Sequence, residues 1–293
     1  MDFGPYFLLA SLEGAVGAAV LAVTALGLSL VFGVMRIVNV AHGEFFMLGA
    51  VIAWWVASLI GIHPAVGFLA ALVVSPLVVG SVAILAERTV LSRLHYDPEA
   101  TIVATIGMLY VIQQAVLMTY GPEARPVQPP FDFRIQLPWF GYSAYKLFVI
   151  LAAVVLLLAV WWGLTRTRLG LMMRATQIDR ETARAFAIPV DRVYAGVFAV
   201  GAALAALGAV LVVPVQQAHY LMGHDPLLLS FITVIIGGLG SLRGTVLAAV
   251  IIGMSDGIIS VFFSPTLAKI IATLAVAMVL VARPQGLFGE RAP

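Results

Sequence analysis

Cysteine is absent from the chain, which excludes disulfides, iron–sulfur clusters and thiolate metal sites. Charge is scarce as well: Asp, Glu, Lys and Arg make up 10% of the 293 residues, against about 25% in soluble domains. The 16 basic residues nearly balance 14 acidic ones, and no basic tail or aromatic-basic cluster points to nucleic acid. HExxH, GxSxG and a glycine-rich phosphate loop ending in GK[ST] are all missing. Hydrolysis of ATP by this chain in any familiar way is thereby excluded, and ATP-driven work would fall to a partner. His42 and Glu44 stand close together, but one imidazole and one carboxylate are too few ligands for a metal site. A membrane enzyme using this pair as base and acid would also lack a nucleophile and a cofactor motif. The first residues, MDFGPYFLLASLEG, carry no basic region and no small-residue cleavage site, so they are expected to open the first span.

What is abundant is apolar sequence. Hydrophobic residues reach 62% and the mean hydropathy is +1.08, which makes this an integral membrane protein. Apolar segments of spanning length fall near 8–32, 44–60, 64–86, 100–119, 146–164, 190–213, 226–240, 244–263 and 266–282. The expected fold is all-α and polytopic, one membrane domain over 1–293 with eight or nine spanning or half-spanning helices. The seventh segment is short and ends in the glycine-rich IIGGLGS, so it is open whether it crosses, half-crosses or re-enters. The stretch 165–192 holds Arg166, Arg168, Arg174, Arg180, Arg184 and Arg192, and the positive-inside rule makes it cytoplasmic. With nine crossings and an outer N-terminus, Arg36, Arg88, Arg93, Arg243, Arg283 and Arg291 also lie inside. Arg125, Arg134, Lys146 and Lys269 then lie outside.

The most informative interruption is Gly33 to Gly49, GVMRIVNVAHGEFFMLG. Arg36, Asn39, His42 and Glu44 cannot face lipid, because each would cost kilocalories to desolvate. They belong at a membrane surface, at a break between half-helices, or along a water-filled path. In one reading Asn39 and Glu44 satisfy and complement a helix N-terminus, with Gly43 permitting the turn. In the other, Asn39, His42 and Glu44 line or gate a pathway, joined by the mid-span amides Gln113 and Gln114. Glu13 and Asp256 are acids within spans; they either couple to protons or sit near outer helix ends where water reaches. Gly33 to Gly49 and Gly237 to Gly253 have the same spacing and the same expected direction, with Gly43, Gly238 and Gly240 as further structural glycines. That pattern suggests a two-fold internal repeat.

Two loops stand out. The outer stretch 121–145 is rich in proline and aromatics, with Trp139, Phe140 and Tyr142 suited to a membrane interface; it reads as a lip around an entrance or as a cap over helix ends. Within 165–192, Asp179 can cap a short helix with Glu181 in its first turn and Pro189 just beyond its end. Ala183, Phe186 and Ala187 then share one face, and Arg180 and Arg184 another. Such a helix is too short to cross a membrane. It either lies on anionic lipid or docks into a cytoplasmic partner.

FGVMRIVNVAHGEFFMLGA resembles the signature of permease subunits of branched-chain amino acid ABC importers, the shorter, LivH-like kind. RATQIDRETARAFAIPVDRV is similar to the inner coupling loop of that family, and VIIGGLGSLRGTVLAAVIIG and VARPQGLFG resemble its C-terminal stretches. The resemblance implies a bacterial or archaeal inner-membrane importer with two different permease chains. Two ATPases that bind ATP and Mg would power it, and a periplasmic or extracellular solute-binding protein would deliver the solute. It assigns Asp179, Arg180, Glu181, Ala183, Arg184, Phe186, Ala187 and Ile188 to the ATPase contact, and no cofactor to this chain itself. The family also includes permeases for urea, short amides and aromatic acids. Where it often carries a lysine before the GG stretch, this chain has Ser230. A self-sufficient ion-coupled carrier, working through Glu13, Glu44 or Asp256, is the alternative from a different class.

Overall fold

The computed structural model describes residues 3–61, 63–283 and 285–288. Arg291 and Pro284, expected on the inner side and in the C-terminal motif, lie outside the described residues. Among those residues the chain forms eleven helices: α1 (Phe3–Met35), α2 (His42–Ile60), α3 (Pro64–Ala86), α4 (Pro98–Tyr120), α5 (Ala144–Arg166), α6 (Arg168–Ile178), α7 (Arg180–Ala185), α8 (Val190–Gln216), α9 (His224–Gly237), α10 (Leu242–Phe262) and α11 (Pro265–Ala282). Among the described residues, eight helices are long and apolar enough to cross a bilayer. α9, the seventh apolar segment of the sequence, has only 14 residues. Capping residues set many of the starts: Asp97, Ser241 and Ser264 accept from amides of the first turns of α4, α10 and α11, and Pro98 and Pro265 follow two of them.

Glycines fix how the long helices cross. α1 runs antiparallel to α10: Gly14 lies against Met254, Ala18 against Gly253, and Gly33 against Gly240. α1 also crosses α8 where Gly27 and Gly201 press backbone on backbone. In hydrocarbon no hydrophobic effect drives helices together, so close approach of small residues supplies the attraction.

These contacts form an inverted repeat. α1 packs on α10 as α8 packs on α3; α2 lies against α3 and α8 as α9 lies against α10 and α1; α4 meets α2 as α11 meets α9. α1 to α4 and α8 to α11 are therefore two four-helix units of opposite direction, with α5 to α7 between them. The glycine pairing 33–49 and 237–253 is not this repeat. Its two stretches meet only where Gly33 touches Gly240, while Gly49 packs on Ala206 and Gly253 on Ala18.

Each unit contains a break. α1 ends at Met35, and Arg36 adopts a left-handed φ of 56°. Residues 36–41 then climb back beside α1, so that the His42 ring reaches the carbonyl of Thr24, about 17 Å up the helix from Met35 at 1.5 Å per residue. The mirrored break is 217–223: α8 ends at Gln216, the chain descends, and α9 starts where Gly223 touches Gly43. α9 is about 21 Å long at that rise and ends beside the inner turn at Gly238 and Gly240, where φ is positive. Segment seven is thus a re-entrant stretch followed by a short helix, and α9 ends at the same end of the molecule as α1, where Gly240 meets Gly33.

The outer loop covers helix ends and also holds the second break. Its hairpin, β1 (Arg134–Gln136) with β2 (Gly141–Ser143), is antiparallel. Upstream of it Arg125 exchanges both backbone hydrogen bonds with Ala218 at 2.9 Å. The Arg125 guanidinium lies over the rings of Trp54 and Tyr120, and the Tyr120 hydroxyl donates to the Ala218 carbonyl at 2.9 Å.

A Cβ at Gly257 would strike the backbone of Gly14, whereas one at Gly107 meets nothing within 4 Å. Gly257→Val is expected to cost about 1–3 kcal/mol and Gly107→Val to be neutral, read as thermal midpoints of the detergent-solubilised chain by size exclusion. Equal midpoints would contradict the α1/α10 packing.

Candidate functional site

The polar residues flagged in the sequence converge where the two breaks meet. Asn39, His42 and Glu44 are all almost fully buried. Asn39 acts on its own turn, its Oδ1 accepting from Ala41 N at 3.1 Å. Val40 N donates to Thr105 Oγ1 of α4 at 3.2 Å. His42 Nε2 lies 2.9 Å from the Thr24 carbonyl; a carbonyl only accepts, so Nε2 carries the proton. Nδ1 is then the bare nitrogen, and it has no partner.

Gly43 and Gly223 form the contact itself. A Cβ on either would run into the other's carbonyl oxygen, so only glycine lets the two tips close. Glu44, one residue on, places Oε1 3.9 Å from His224 Nε2, while its Oε2 is buried and unpartnered. The same His224 nitrogen lies 2.8 Å from Gln113 Nε2. Gln113 of α4, His224 of α9 and Glu44 of α2 thus lie together, joined by one hydrogen bond between the first two. Gln114 does not join it; its side chain is exposed on the far side of α4. His224 carries no signal in the sequence beyond its place beside Gly223 at the head of a short apolar segment.

Above this contact a cavity of about 680 Å³ opens toward the outer side between α1, α8, α9, α10 and α11. Glu13 and Asp256 both line it. Glu13 is held by Lys146 at 2.6 Å, and Lys269 reaches Asp225 at 2.7 Å. His219, in the second break, also lines the cavity. Ser230, at the position of the absent lysine, is fully buried with its hydroxyl unpartnered.

On the inner face α7 is shorter than its sequence suggests. Asp179 caps it, accepting from Glu181 N at 2.9 Å and from Thr182 Oγ1 at 2.5 Å; these bonds hold its carboxyl below the usual range. The helix ends at Ala185. Ile188 N bonds Ala183 O and Ala187 N bonds Arg184 O, with Ala187 left-handed at φ 60°, a Schellman closure. That early stop separates the expected apolar face. Ala183 is buried, but Phe186 swings outward and is 79% exposed. Arg184 pairs with Asp191 at 3.0 Å. Beside α7 a recess of about 460 Å³ is lined by Arg88, Arg180, Arg184 and Arg192 together with Glu87 and Tyr96. The Tyr96 hydroxyl donates to Glu87 at 2.5 Å, and burial with that carboxylate pushes the phenol well above its ordinary range.

Among the described residues no three His, Asp or Glu side chains gather as metal ligands would.

Comparison with known proteins covers nearly the whole chain. The family described as branched-chain amino acid transport system / permease component matches residues 11–282. The high-affinity branched-chain amino acid transport system permease protein LivH of Salmonella typhimurium is 26% identical, over 97% of this chain and 96% of that protein. BraD of Pseudomonas aeruginosa, also named a high-affinity branched-chain amino acid transport system permease protein, is 27% identical over 97% and 96%. A probable branched-chain amino acid transport permease protein LivH of Methanocaldococcus jannaschii is 24% identical over 95% and 91%. No solved structure matches the chain significantly.

His42→Leu removes the side-chain donor to Thr24 and should destabilise the chain by about 1–3 kcal/mol. His42→Gln, which keeps a donor, should recover most of that. Thermal unfolding in detergent measures both; equal loss in the two variants would mean that ring packing, not the hydrogen bond, holds the break.

Proposed function

We propose, on the premise that this chain belongs to the family of permease components of the branched-chain amino acid transport system, that it is one permease subunit of an ATP-driven importer for branched-chain amino acids. The multi-pass fold and the family match over residues 11–282 support the reading, as do the names of relatives that align end to end with it. In this reading the chain sits in the cytoplasmic membrane of a bacterium or archaeon. It works with a second permease chain, two ATPases that bind ATP and Mg, and an extracytoplasmic solute-binding protein, and it holds no cofactor of its own.

The observation that carries the assignment of roles is the exposed α7 turn. Phe186 presents an apolar ring to water on a helix pinned by its Asp179 cap and the Arg184–Asp191 pair. A solvent-exposed aromatic at the end of a short helix that carries Arg180 and Arg184 has the composition of an interface anchor. ATPase subunits that bind one conformation of the permease more tightly than another bias its equilibrium by that difference. α6 adjoins α1 and α8, the two helices that lead into the breaks, and α7 adjoins α8. Movement at α7 is therefore passed to the Gly43–Gly223 contact, which separates the outer cavity from the inner side. Parting that contact while the outer mouth closes is alternating access. His42, Glu44, Gln113 and His224 lie at the moving seal, as gate residues.

Phe186→Asp should leave the chain inserted and folded while reducing recovery of the ATPase subunits at least tenfold when the tagged permease is purified from its host. Undiminished recovery would remove α7 as the coupling element.

A further inference from the structure

The recess beside α7 holds more positive charge than the fold uses. Arg88, Arg180, Arg184 and Arg192 line it, against two carboxylates, Glu87 and Asp191. Both carboxylates are already engaged, Asp191 by Arg184 at 3.0 Å and Glu87 by the Tyr96 hydroxyl at 2.5 Å. Among the described residues, Arg88, Arg180 and Arg192 have no carboxylate within 4 Å. Three separate elements bring these side chains together. Arg88 sits on the π-helical turn Glu87–Leu91 that prolongs α3, Arg180 opens α7, and Arg192 lies in the first turn of α8. π turns are uncommon and gather at functional sites; this one buries Glu87 and leaves Arg88 exposed. His95 and Tyr96, also in the wall, are both left-handed, with φ of 54° and 59°, a conformation that costs energy for a residue with a Cβ. Like charges gathered in this way repel one another, and an anion between them removes that cost.

The surroundings of the recess indicate which anion. On α3, Leu77, Ser81 and Leu85 lie one turn apart and are all exposed, and Arg88 and Ser92 carry that stripe into the recess. On α8, Arg192 is followed one turn later by Gly196, where an added Cβ would meet nothing within 4 Å, and then by the exposed Val200. α3 and α8 pack directly on each other, with Gly80 against Ala199 and Ala203. An open apolar path therefore runs along this seam and ends at the arginines. Phe186 does not line the recess, so the ATPase anchor and the anion site use different parts of the α7 segment.

We propose that the recess is a binding site for the phosphate headgroup of an anionic phospholipid of the inner leaflet, with an acyl chain lying along Leu85 and Gly196. Guanidinium groups engage phosphate oxygens in pairs, and three of them converge here on one volume of about 460 Å³. Four guanidinium groups against two carboxylates leave two positive charges over. A headgroup with two phosphates matches that excess in full, and one with a single phosphate matches it in part. A zwitterionic headgroup brings its own ammonium group into the same field and gains less. Bound lipid ties α7 to the end of α3 and to the start of α8. The site depends on α7 lying at the inner membrane surface and not on what the chain transports.

Native mass spectrometry of the full-length chain in nonionic detergent reads occupancy directly, with cardiolipin, phosphatidylglycerol and phosphatidylethanolamine of matched acyl chains as probes. The unaltered chain should bind cardiolipin about tenfold more tightly than phosphatidylethanolamine, with phosphatidylglycerol between them. Arg88→Gln combined with Arg192→Gln should weaken cardiolipin binding by about tenfold. Arg93→Gln combined with Arg168→Gln removes the same charge from exposed positions outside the recess and should have little effect. Equal weakening in the two double variants overturns the site in favour of a general attraction to the basic inner face. Equal binding of the three lipids by the unaltered chain overturns it without any variant having to fold. Displacement of cardiolipin by equimolar inorganic pyrophosphate overturns the lipid and makes the ligand a soluble anion. None of these outcomes touches the importer reading, which recovery of the ATPase subunits tests separately.

Discussion

A backbone amide or carbonyl left bare in hydrocarbon costs several kilocalories per mole, so a membrane helix can be interrupted only where protein or water covers the break. This fold contains two such interruptions, and each is covered by the other. Residues 36–41 and 217–223 enter from opposite faces and meet at Gly43 and Gly223. Their backbone groups are met locally, by Asn39 and Thr105 in the first and by the Arg125 bridge and the Tyr120 hydroxyl in the second. The long helices α1 and α8 are packed glycine to glycine alongside, which brings the two tips into register. Without that crossing neither break would be shielded.

The same contact places function. A pathway through a helical membrane protein needs polar groups near the midplane, and breaks are where a chain can present them. Above the contact lies a cavity lined by Glu13 of α1, Asp225 of α9, Asp256 of α10 and Lys269 of α11; below it lie the ends of α1 and α8, next to α6, which with α7 is the proposed coupling segment. Glu13, which on sequence grounds is a candidate for proton coupling, is closed off by Lys146, so the ion-coupled reading loses one of its carboxylates.

The sequence made the first break legible and left the second hidden. Arg36, Asn39, His42 and Glu44 are too polar to face lipid, so their placement at an interruption follows from desolvation alone. The residues of the second break, QAHYLMG, fall between two apolar segments and read as an ordinary outer loop. Only the brevity of the following helix, α9, hinted that it began part-way across. The inverted repeat was invisible for a related reason. It equates helices by contact, α1 with α8 and α3 with α10, whereas spaced glycines in sequence paired 33–49 with 237–253, which are not counterparts. Asp179 and Ala183 behave on α7 as their spacing indicates, but Phe186 does not, because a left-handed Ala187 stops the helix one turn early and no sequence rule favours alanine there. Gln113 and Gln114 are adjacent, and only the rotation of α4, fixed by packing against α2, decides that the first faces His224.

If the chain is a permease that depends on partner ATPases, the most direct measurement is accumulation of labelled leucine in vesicles reconstituted two ways. One set holds the complex purified through this chain, supplied with binding protein and ATP on the appropriate sides. The other holds the chain alone under a proton gradient. Accumulation in the first set that requires ATP hydrolysis, with none in the second, is the expected result. Accumulation by the chain alone, driven by the gradient and indifferent to ATP, would contradict it.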